Sequence, residues 1–254
     1  MSFIVVGMIV LAVIGLVASI VIITTVQSMN WLTQPMGLFE PVNHIRNSFF
    51  LDDVDWTDDW AFRNGYDFDS YYHFQCQRGL KAKLAAWYNP DTKAGLLLAH
   101  IGPLVIFEFA SYYEDGTEVN TSDHGDSLML PPAPGVYNEA FPKATLDELH
   151  WRHFESRAFL EEVFELPHAR SQTMLTSLEE STYSHASYVK TIPFWWLRSL
   201  YWYFIRRPAL KNKSIAAQLG EPDWRRQTPH DNAPRFPEDS SKGTDERFRA
   251  DDAN

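Results

Sequence analysis

Residues 3–26 form the longest apolar run in the chain. Between residues 3 and 23 there is no Asp, Glu, Lys, Arg, Asn or Gln, and the only polar side chain is Ser19. About 22 helical residues at roughly 1.5 Å each extend roughly 33 Å, which is enough to cross a hydrocarbon core about 30 Å thick. The run therefore predicts a transmembrane helix, and we assign residues 1–28 to a membrane anchor.

A cleaved signal peptide is the alternative interpretation of the same run, because Val26-Gln27-Ser28 loosely fits the pattern of small residues before a cleavage site. Two features favour a retained anchor: no Lys or Arg precedes the run, and the run is longer than the usual apolar core of a signal peptide. Orientation depends on Lys and Arg close to the span. The first such residue is Arg46, which favours a cytoplasmic body only slightly.

Residues 29–60 are predicted to link the anchor to the folded body. Pro35 and Pro41 keep the start of this segment extended. Its end, residues 52–59, is rich in Asp but has neither the spacing nor the glycine of a calcium-binding loop. We interpret this end as a solvated acidic approach to a soluble α+β domain over residues 61–190.

Strand patterns dominate the first half of that domain. Around residues 80–84 polar and apolar positions alternate with a period of two, which predicts one wet and one buried face. Residues 95–100 and 104–113 are apolar runs of strand length, and a turn at residues 114–117 returns the chain as a short strand. These patterns predict an antiparallel meander of three or four strands, with residues 66–74 as a candidate further strand.

Helices are predicted after the meander. Thr145 and Glu148 have the spacing of a capping box, and Pro167 ends the helix that they begin. A second helix is predicted over residues 171–190. The predicted fold class is therefore α+β: an N-terminal transmembrane helix, a small antiparallel β-meander followed by packed helices, and a disordered C-terminal tail over residues 220–254, which is poor in apolar residues.

Residues 191–219 carry a second membrane signal. The helix predicted from Pro193 to Ile205 would extend only about 20 Å, which is too short to cross a bilayer. Aromatic residues followed by a basic cluster are typical of a helix that lies in the interface of an anionic leaflet. An aromatic helix buried in the core or against a partner is the alternative. The predicted interface residues are Trp195, Trp196, Trp202, Arg206, Arg207, Lys211 and Lys213.

Composition narrows the compartment and the partners. The net charge of −11 and the pI of about 5.2 argue against general nucleic-acid binding. Cys76 is the only cysteine, so no internal disulfide can form, which suits a reducing compartment. Aromatic residues make up 15% of the chain, a high share that fits contact with a membrane or a protein partner.

Candidate chemistry is sparse, because the chain contains no phosphate-binding loop, Gly-x-Ser-x-Gly elbow, paired-Cys motif or His-Glu-x-x-His motif. Asp123, His124 and Asp126 bring acids and a base into one loop, although neighbours in a loop usually point apart. His150 and His153 lie one helical turn apart and are candidate ligands for a divalent metal, although histidines on a helix are more often packed or solvated. No cofactor is predicted.

The sequence therefore predicts a single-pass membrane protein that acts as an interaction or accessory subunit, with its soluble domain in the cytoplasm. Its expected partners are the lipid bilayer and a membrane or soluble protein, not nucleic acid. One alternative is a membrane-bound hydrolase or metal-dependent enzyme that uses the Asp123–Asp126 loop or the histidine pair. Another is a lipid-surface sensing module that acts through the aromatic and basic residues of residues 191–219.

Overall fold

The structure is a computed structural model that describes residues 3–33, 38–77, 80–171, 173–222 and 224. The side chains of residues 4, 76, 77 and 80 fall outside that description, and so does the thiol of Cys76. Most of the tail predicted to be disordered, residues 220–254, also lies outside the described residues.

The described chain is a mixed α+β body that begins with the apolar helix α1 (Phe3–Leu32). Its strands are β1 (Phe39–Val42), β2 (Asp67–Gln77), β3 (Leu80–Asn89), β4 (Ala94–Ile101), β5 (Leu104–Tyr112), β6 (Glu118–Ser122) and β7 (Val136–Ala140). The remaining helices are α2 (Ser48–Arg63), α3 (Leu146–Val163), α4 (Met174–Thr191), α5 (Trp195–Tyr201), a π-helical turn (Trp202–Arg206), α6 (Arg207–Leu210) and α7 (Ile215–Gln218).

The seven strands form one sheet in which each strand pairs with its neighbours in the sequence, and only the last pair, β6 with β7, is parallel. The predicted meander corresponds to β3–β6. Its turn at residues 114–117 is confirmed: Gly116 has a φ of +86°, a conformation that glycine adopts without steric cost. The candidate strand at residues 66–74 corresponds to β2, and the sheet is larger than predicted because β1 extends one edge and β7 the other.

Helices cover both faces of the sheet. On one face α2 and α3 pack over a core that includes Trp87, Leu96 and Phe109. On the other face α4 and the end of α1 pack over a second core that includes Leu84 and Met174. The predicted wet face of β3 is therefore confined to the start of the strand, because the residues further along are buried on both sides.

Helix α2 corrects the prediction of a linker and solvated approach over residues 29–60. Asn47 caps the helix by accepting a hydrogen bond from the Phe50 backbone N–H at 2.9 Å. Phe50, Val54 and Trp60 are buried at helical spacing. The Asp residues between them obscure this helical spacing in the sequence. One of these residues, Asp58, accepts a hydrogen bond at 2.8 Å from the Trp87 indole N–H.

Strand β7 was not predicted. Its central residues, Asn138 and Glu139, are polar but buried, so the segment lacks the alternation that marks a half-buried strand. It also pairs parallel to β6 after a connection of about a dozen residues, which includes a 3₁₀ turn at Gly125–Leu128.

Helix α3 begins where the sequence predicts. The Thr145 hydroxyl accepts a hydrogen bond from the Glu148 backbone N–H at 3.2 Å, which is one half of the predicted capping box. The Glu148 carboxylate instead accepts a hydrogen bond from the Arg152 guanidinium at 3.1 Å. The helix ends at Val163, four residues before Pro167.

Candidate functional site

Helix α1 exposes its apolar side chains over most of its length. The segment Val5–Leu32 is long and apolar enough to cross a membrane, and only 6% of its most apolar window is buried. The core helix of a soluble protein would be mostly buried, so this exposure separates α1 from that class. A signal sequence near the N-terminus passes the same test of length and composition.

The C-terminal end of α1 is joined to the folded domain by side-chain contacts. Met29 is buried against α4 and the π-helical turn, in a cluster that includes Val189. The Trp31 indole N–H donates a hydrogen bond to the Gln75 carbonyl at 2.8 Å, and the Lys190 ammonium donates one to the Thr33 hydroxyl at 2.6 Å. The apolar helix therefore continues into the domain as part of its packing.

Helix α5 and the π-helical turn contact α1 with one side and leave the other side exposed. Ser199 and Trp202 are buried on the inner side. The outer side carries apolar residues at helical spacing, which we call the α5 ridge. Their side chains are 46–70% exposed, and they are Phe194, Leu197, Tyr201, Phe204 and Ile205.

The residues predicted to contact lipid are divided between these two sides. Trp196, Lys211 and Lys213 are exposed, and Trp195 and Arg206 are partly buried. Trp202 is 5% exposed, so this prediction is corrected: its ring packs between α1 and α4. Arg207 also contacts the protein, because its guanidinium forms an ion pair with the Asp126 carboxylate at 2.6 Å.

The loop with Asp123, His124 and Asp126 does not assemble a catalytic group. Asp123 accepts a hydrogen bond from the Phe107 backbone N–H at 2.9 Å, and the His124 Nδ1 lies 3.4 Å from both the Asp126 N–H and the Asp126 carboxylate. These side chains brace their own loop and its contact with α6. Two surface depressions among the described residues lie beside Arg157 and beside Arg152, and none of the three lines either of them.

The histidine pair, a candidate for metal binding, is held in other contacts. His153 is fully buried, with Nε2 at 2.8 Å from the Ser111 hydroxyl and Nδ1 at 3.1 Å from the Thr121 hydroxyl. Both ring nitrogens therefore have hydrogen-bond partners, and neither offers a lone pair to a metal. His150 lies among aromatic rings, including those of Trp60 and Phe154.

Glu139 is the centre of a buried network that sequence reasoning missed. One carboxylate oxygen accepts a hydrogen bond from the Thr121 hydroxyl at 2.8 Å. The other accepts hydrogen bonds from the Ser156 hydroxyl at 2.8 Å and from the Ile215 backbone N–H at 3.0 Å. When Glu139 is ionised, Thr121 donates to it and accepts from His153, which places the proton on Nδ1 of that ring. The network joins β6, β7, α3 and α7, and its closed surroundings indicate a structural role.

Burial raises the pKa of Glu139 to about 7, although its hydrogen bonds oppose the shift. Burial, reinforced by the nearby charges of Glu118 and Asp123, also raises the pKa of Glu108 to about 7. The folded state therefore keeps protons that unfolded glutamates lose near pH 4.5. Burial lowers the pKa of His153 well below its usual value, so this residue opposes the carboxyl effect below about pH 6.5, where an unfolded histidine binds a proton.

Between pH 6.5 and 8 we expect deprotonation of the two carboxyl groups to lower the free energy of unfolding, while His150, His153 and His185, whose pKa values burial lowers, oppose part of this fall. Glu139→Gln reproduces the protonated side chain and leaves the histidines unchanged, so the free energy of unfolding of the variant should fall less, or rise more, across this range than that of the wild type. Urea unfolding of the full chain in detergent across this range measures the effect. Glu148→Gln, on the exposed side of α3, is the matched control. An equal slope in the wild type and Glu139→Gln would contradict the assignment.

Helix α2 also presents an outer surface that the fold leaves uncovered. It consists of aromatic and acidic residues at helical spacing, and Phe62 is 82% exposed. This surface lies on the face of the sheet opposite to α1 and α4. We call it the α2 stripe, and its residues are Phe49, Asp52, Asp55, Trp56, Asp59 and Phe62.

The geometry therefore offers outward-facing surfaces and no assembled reactive centre among the described residues. The membrane-bound enzyme alternative gains no support from the placement of its candidate residues. No protein-family model, curated protein or solved structure matches this chain. Function is therefore inferred from the geometry alone, and the two surfaces that carry information are the apolar pair α1 and α5 and the α2 stripe.

Proposed function

We propose that this protein is a single-pass membrane protein that serves as an interaction or accessory subunit, with its folded domain at the cytoplasmic surface. The observation that carries this proposal is the continuity of α1 with the domain. The same helix is apolar and exposed at its start and packed into the fold at Met29. A bilayer is the environment that satisfies an exposed apolar helix of this length.

Retention of α1 is supported by what cleavage would remove. Thr25 is 4% exposed, and it lies before the cleavage site considered at residues 26–28. Cutting there would leave Met29 as a charged N-terminus beside Val189 and Trp202, in an apolar cluster. Burying an unpaired ammonium group is strongly unfavourable. The packing therefore favours a mature chain that keeps its first helix.

The α2 stripe supports a protein partner. Exposed aromatic side chains such as Trp56 and Phe62 are the residues that dominate binding energy in protein interfaces. The acidic residues between them, Asp52, Asp55 and Asp59, are repelled by an anionic leaflet and attract a basic surface. The partner that fits this stripe is therefore a protein with exposed Lys or Arg beside apolar residues.

A cytoplasmic position is supported by two features of the chain. Lys211 and Lys213 are exposed close to the membrane-facing helices, where they would meet the anionic lipids of the cytoplasmic leaflet. The single cysteine suits a reducing compartment.

The double substitution Trp56→Ser/Phe62→Ser tests the interaction role. The full-length protein is isolated from gently solubilised membranes after cross-linking, and associated proteins are quantified. We expect recovery of the true partner to fall by at least about tenfold, because buried aromatic contacts at interfaces are commonly worth 2 kcal/mol or more.

Tyr183→Ser is the matched control, because Tyr183 is an exposed aromatic residue on α4, on the other face of the sheet. A protein that binds the α2 stripe should be recovered with the Tyr183→Ser variant and lost with the double substitution. If every associated protein is recovered equally with all three chains, the stripe does not bind a partner.

A further inference from the structure

We propose that the α5 ridge enters the headgroup and upper acyl region of the bilayer that α1 crosses, so that two elements hold the domain against the membrane. This inference rests on the proposed function, because it takes the depth of the bilayer from α1. It adds a lipid-binding surface at a defined place in the fold.

The depth follows from the length of α1. From Val5 to Thr25 the helix rises about 30 Å, which equals the hydrocarbon thickness of a typical bilayer. Partial shielding of its side chains by the protein begins at Ala18. The segment from Ala18 to Thr25 occupies about the last 10 Å of that thickness.

Helix α5 contacts α1, and its Trp195 packs in the cluster that contains Met29, about 6 Å along the helix beyond Thr25, so α5 lies at or just above the edge of the hydrocarbon. Helices that lie in a membrane interface bury their apolar face about 5–10 Å into the boundary between headgroups and acyl chains. The depth that α1 sets and the depth that an interfacial helix needs therefore agree.

The chemistry of the ridge fits the same occupant. Its outer residues combine aliphatic side chains with aromatic rings, and Tyr201 is a residue type that is enriched where acyl chains meet headgroups. Arg198 is exposed on the same helix, and its long side chain can reach the phosphate layer while its stem stays in an apolar environment. The helical stretch from α5 to α6 is 16 residues long and extends about 24 Å, so it lies in the interface without crossing.

A bilayer accounts for the ridge better than a second protein surface does. The ridge lies on a helix that packs against α1, so the bilayer that α1 crosses already lies beside it. The α2 stripe, which faces the other side of the sheet, carries acids among its aromatic residues, whereas residues 191–213 carry none. The two exposed surfaces are thus chemically distinct.

The experiment measures depth at single sites in the full chain. In a Cys76→Ser background, Leu197→Cys and Phe204→Cys place an environment-sensitive fluorophore on the ridge. Ile14→Cys places it on α1, and Asp59→Cys places it on α2 as the water-exposed control. Each labelled protein is reconstituted into phosphatidylcholine–phosphatidylglycerol vesicles that contain a nitroxide on the headgroup, at the top of the acyl chain or at its middle.

We expect the two ridge labels to be quenched at least about twice as strongly by nitroxide at the headgroup or upper chain as by nitroxide at mid-chain. The α1 label should show the opposite order, and the α2 label should show little quenching. Two ridge positions are used so that a local disturbance at one of them does not decide the result.

The outcomes distinguish failure of the ridge proposal from failure of the membrane anchor. Deep quenching at position 14 with water-like emission at positions 197 and 204 would overturn the ridge proposal and keep the anchor. Absence of quenching at all four positions would overturn the anchor as well. Ridge labels that are shielded from water but not quenched by any lipid would show that a protein, such as a second copy of this chain, covers the ridge.

Discussion

Deletion of residues 3–23 is expected to move this protein from the carbonate-resistant membrane fraction to the carbonate-soluble fraction. The deletion removes the apolar run up to Ile23, and no other described helix is long and apolar enough to cross a bilayer. Contacts through the α5 ridge alone are peripheral and do not survive alkaline carbonate. Fractionation with an immunoblot measures the shift, which we expect to be nearly complete.

A chain in which a Leu/Ala run of the same length replaces residues 3–23 is the matched control, and it should stay in the membrane fraction. Ile14→Arg tests the same element more gently, because a charged residue at the centre of a spanning helix opposes insertion by about 3 kcal/mol. The anchor is disproved if the intact full-length protein is extracted by carbonate, or if the mature protein begins near Met29.

Trp87→Ala is expected to lower the free energy of unfolding by about 3–5 kcal/mol, a large fraction of the 5–15 kcal/mol typical of a domain. Trp87 is fully buried in β3, under α2, and its loss leaves a cavity between the sheet and that helix. It also leaves Asp58 without the indole N–H that it accepts at 2.8 Å. Urea unfolding followed by circular dichroism measures the change.

Two further substitutions separate packing from hydrogen bonding. Trp87→Phe keeps most of the volume but removes the donor to Asp58, so it should cost about 1–3 kcal/mol. Trp196→Ala removes an indole of the same size from an exposed position, and it should change stability by about 0.5 kcal/mol or less. Equal unfolding midpoints for Trp87→Ala and Trp196→Ala would show that the core is assigned incorrectly.

The sequence predicts best those elements whose signal is local and unopposed. Helix α1 and strands β4 and β5 are apolar runs of the right length, and α3 has a cap at Thr145. Helix α2 has an equally good period of buried residues, but its five aspartates suggested a solvated segment. Charged residues mark only the solvated side of an amphipathic helix, so the spacing of the apolar residues should be tested first.

The candidate sites show why linear proximity is a poor guide to function. Asp123, His124 and Asp126 are neighbours in the sequence, yet Asp123 contacts the Phe107 backbone, and only His124 and Asp126 lie side by side. The network around Glu139 draws on residues between 111 and 215, which only the folded sheet brings together. The sequence signal for this network is weak, because a glutamate in a short polar segment is equally typical of a solvent-exposed loop.

The hydrogen bonds that join Trp31 and Thr33 to the domain have a mechanical consequence. Because the end of the helix is fixed to the domain, a tilt of the helix turns the domain with it, whereas a flexible linker would not. Spanning helices tilt when the bilayer becomes thinner, and a change of about 10° would swing a point about 30 Å away through about 5 Å. In the proposed arrangement, the height of the α2 stripe above the lipid would therefore follow membrane thickness, and the reach of its partner would change with it.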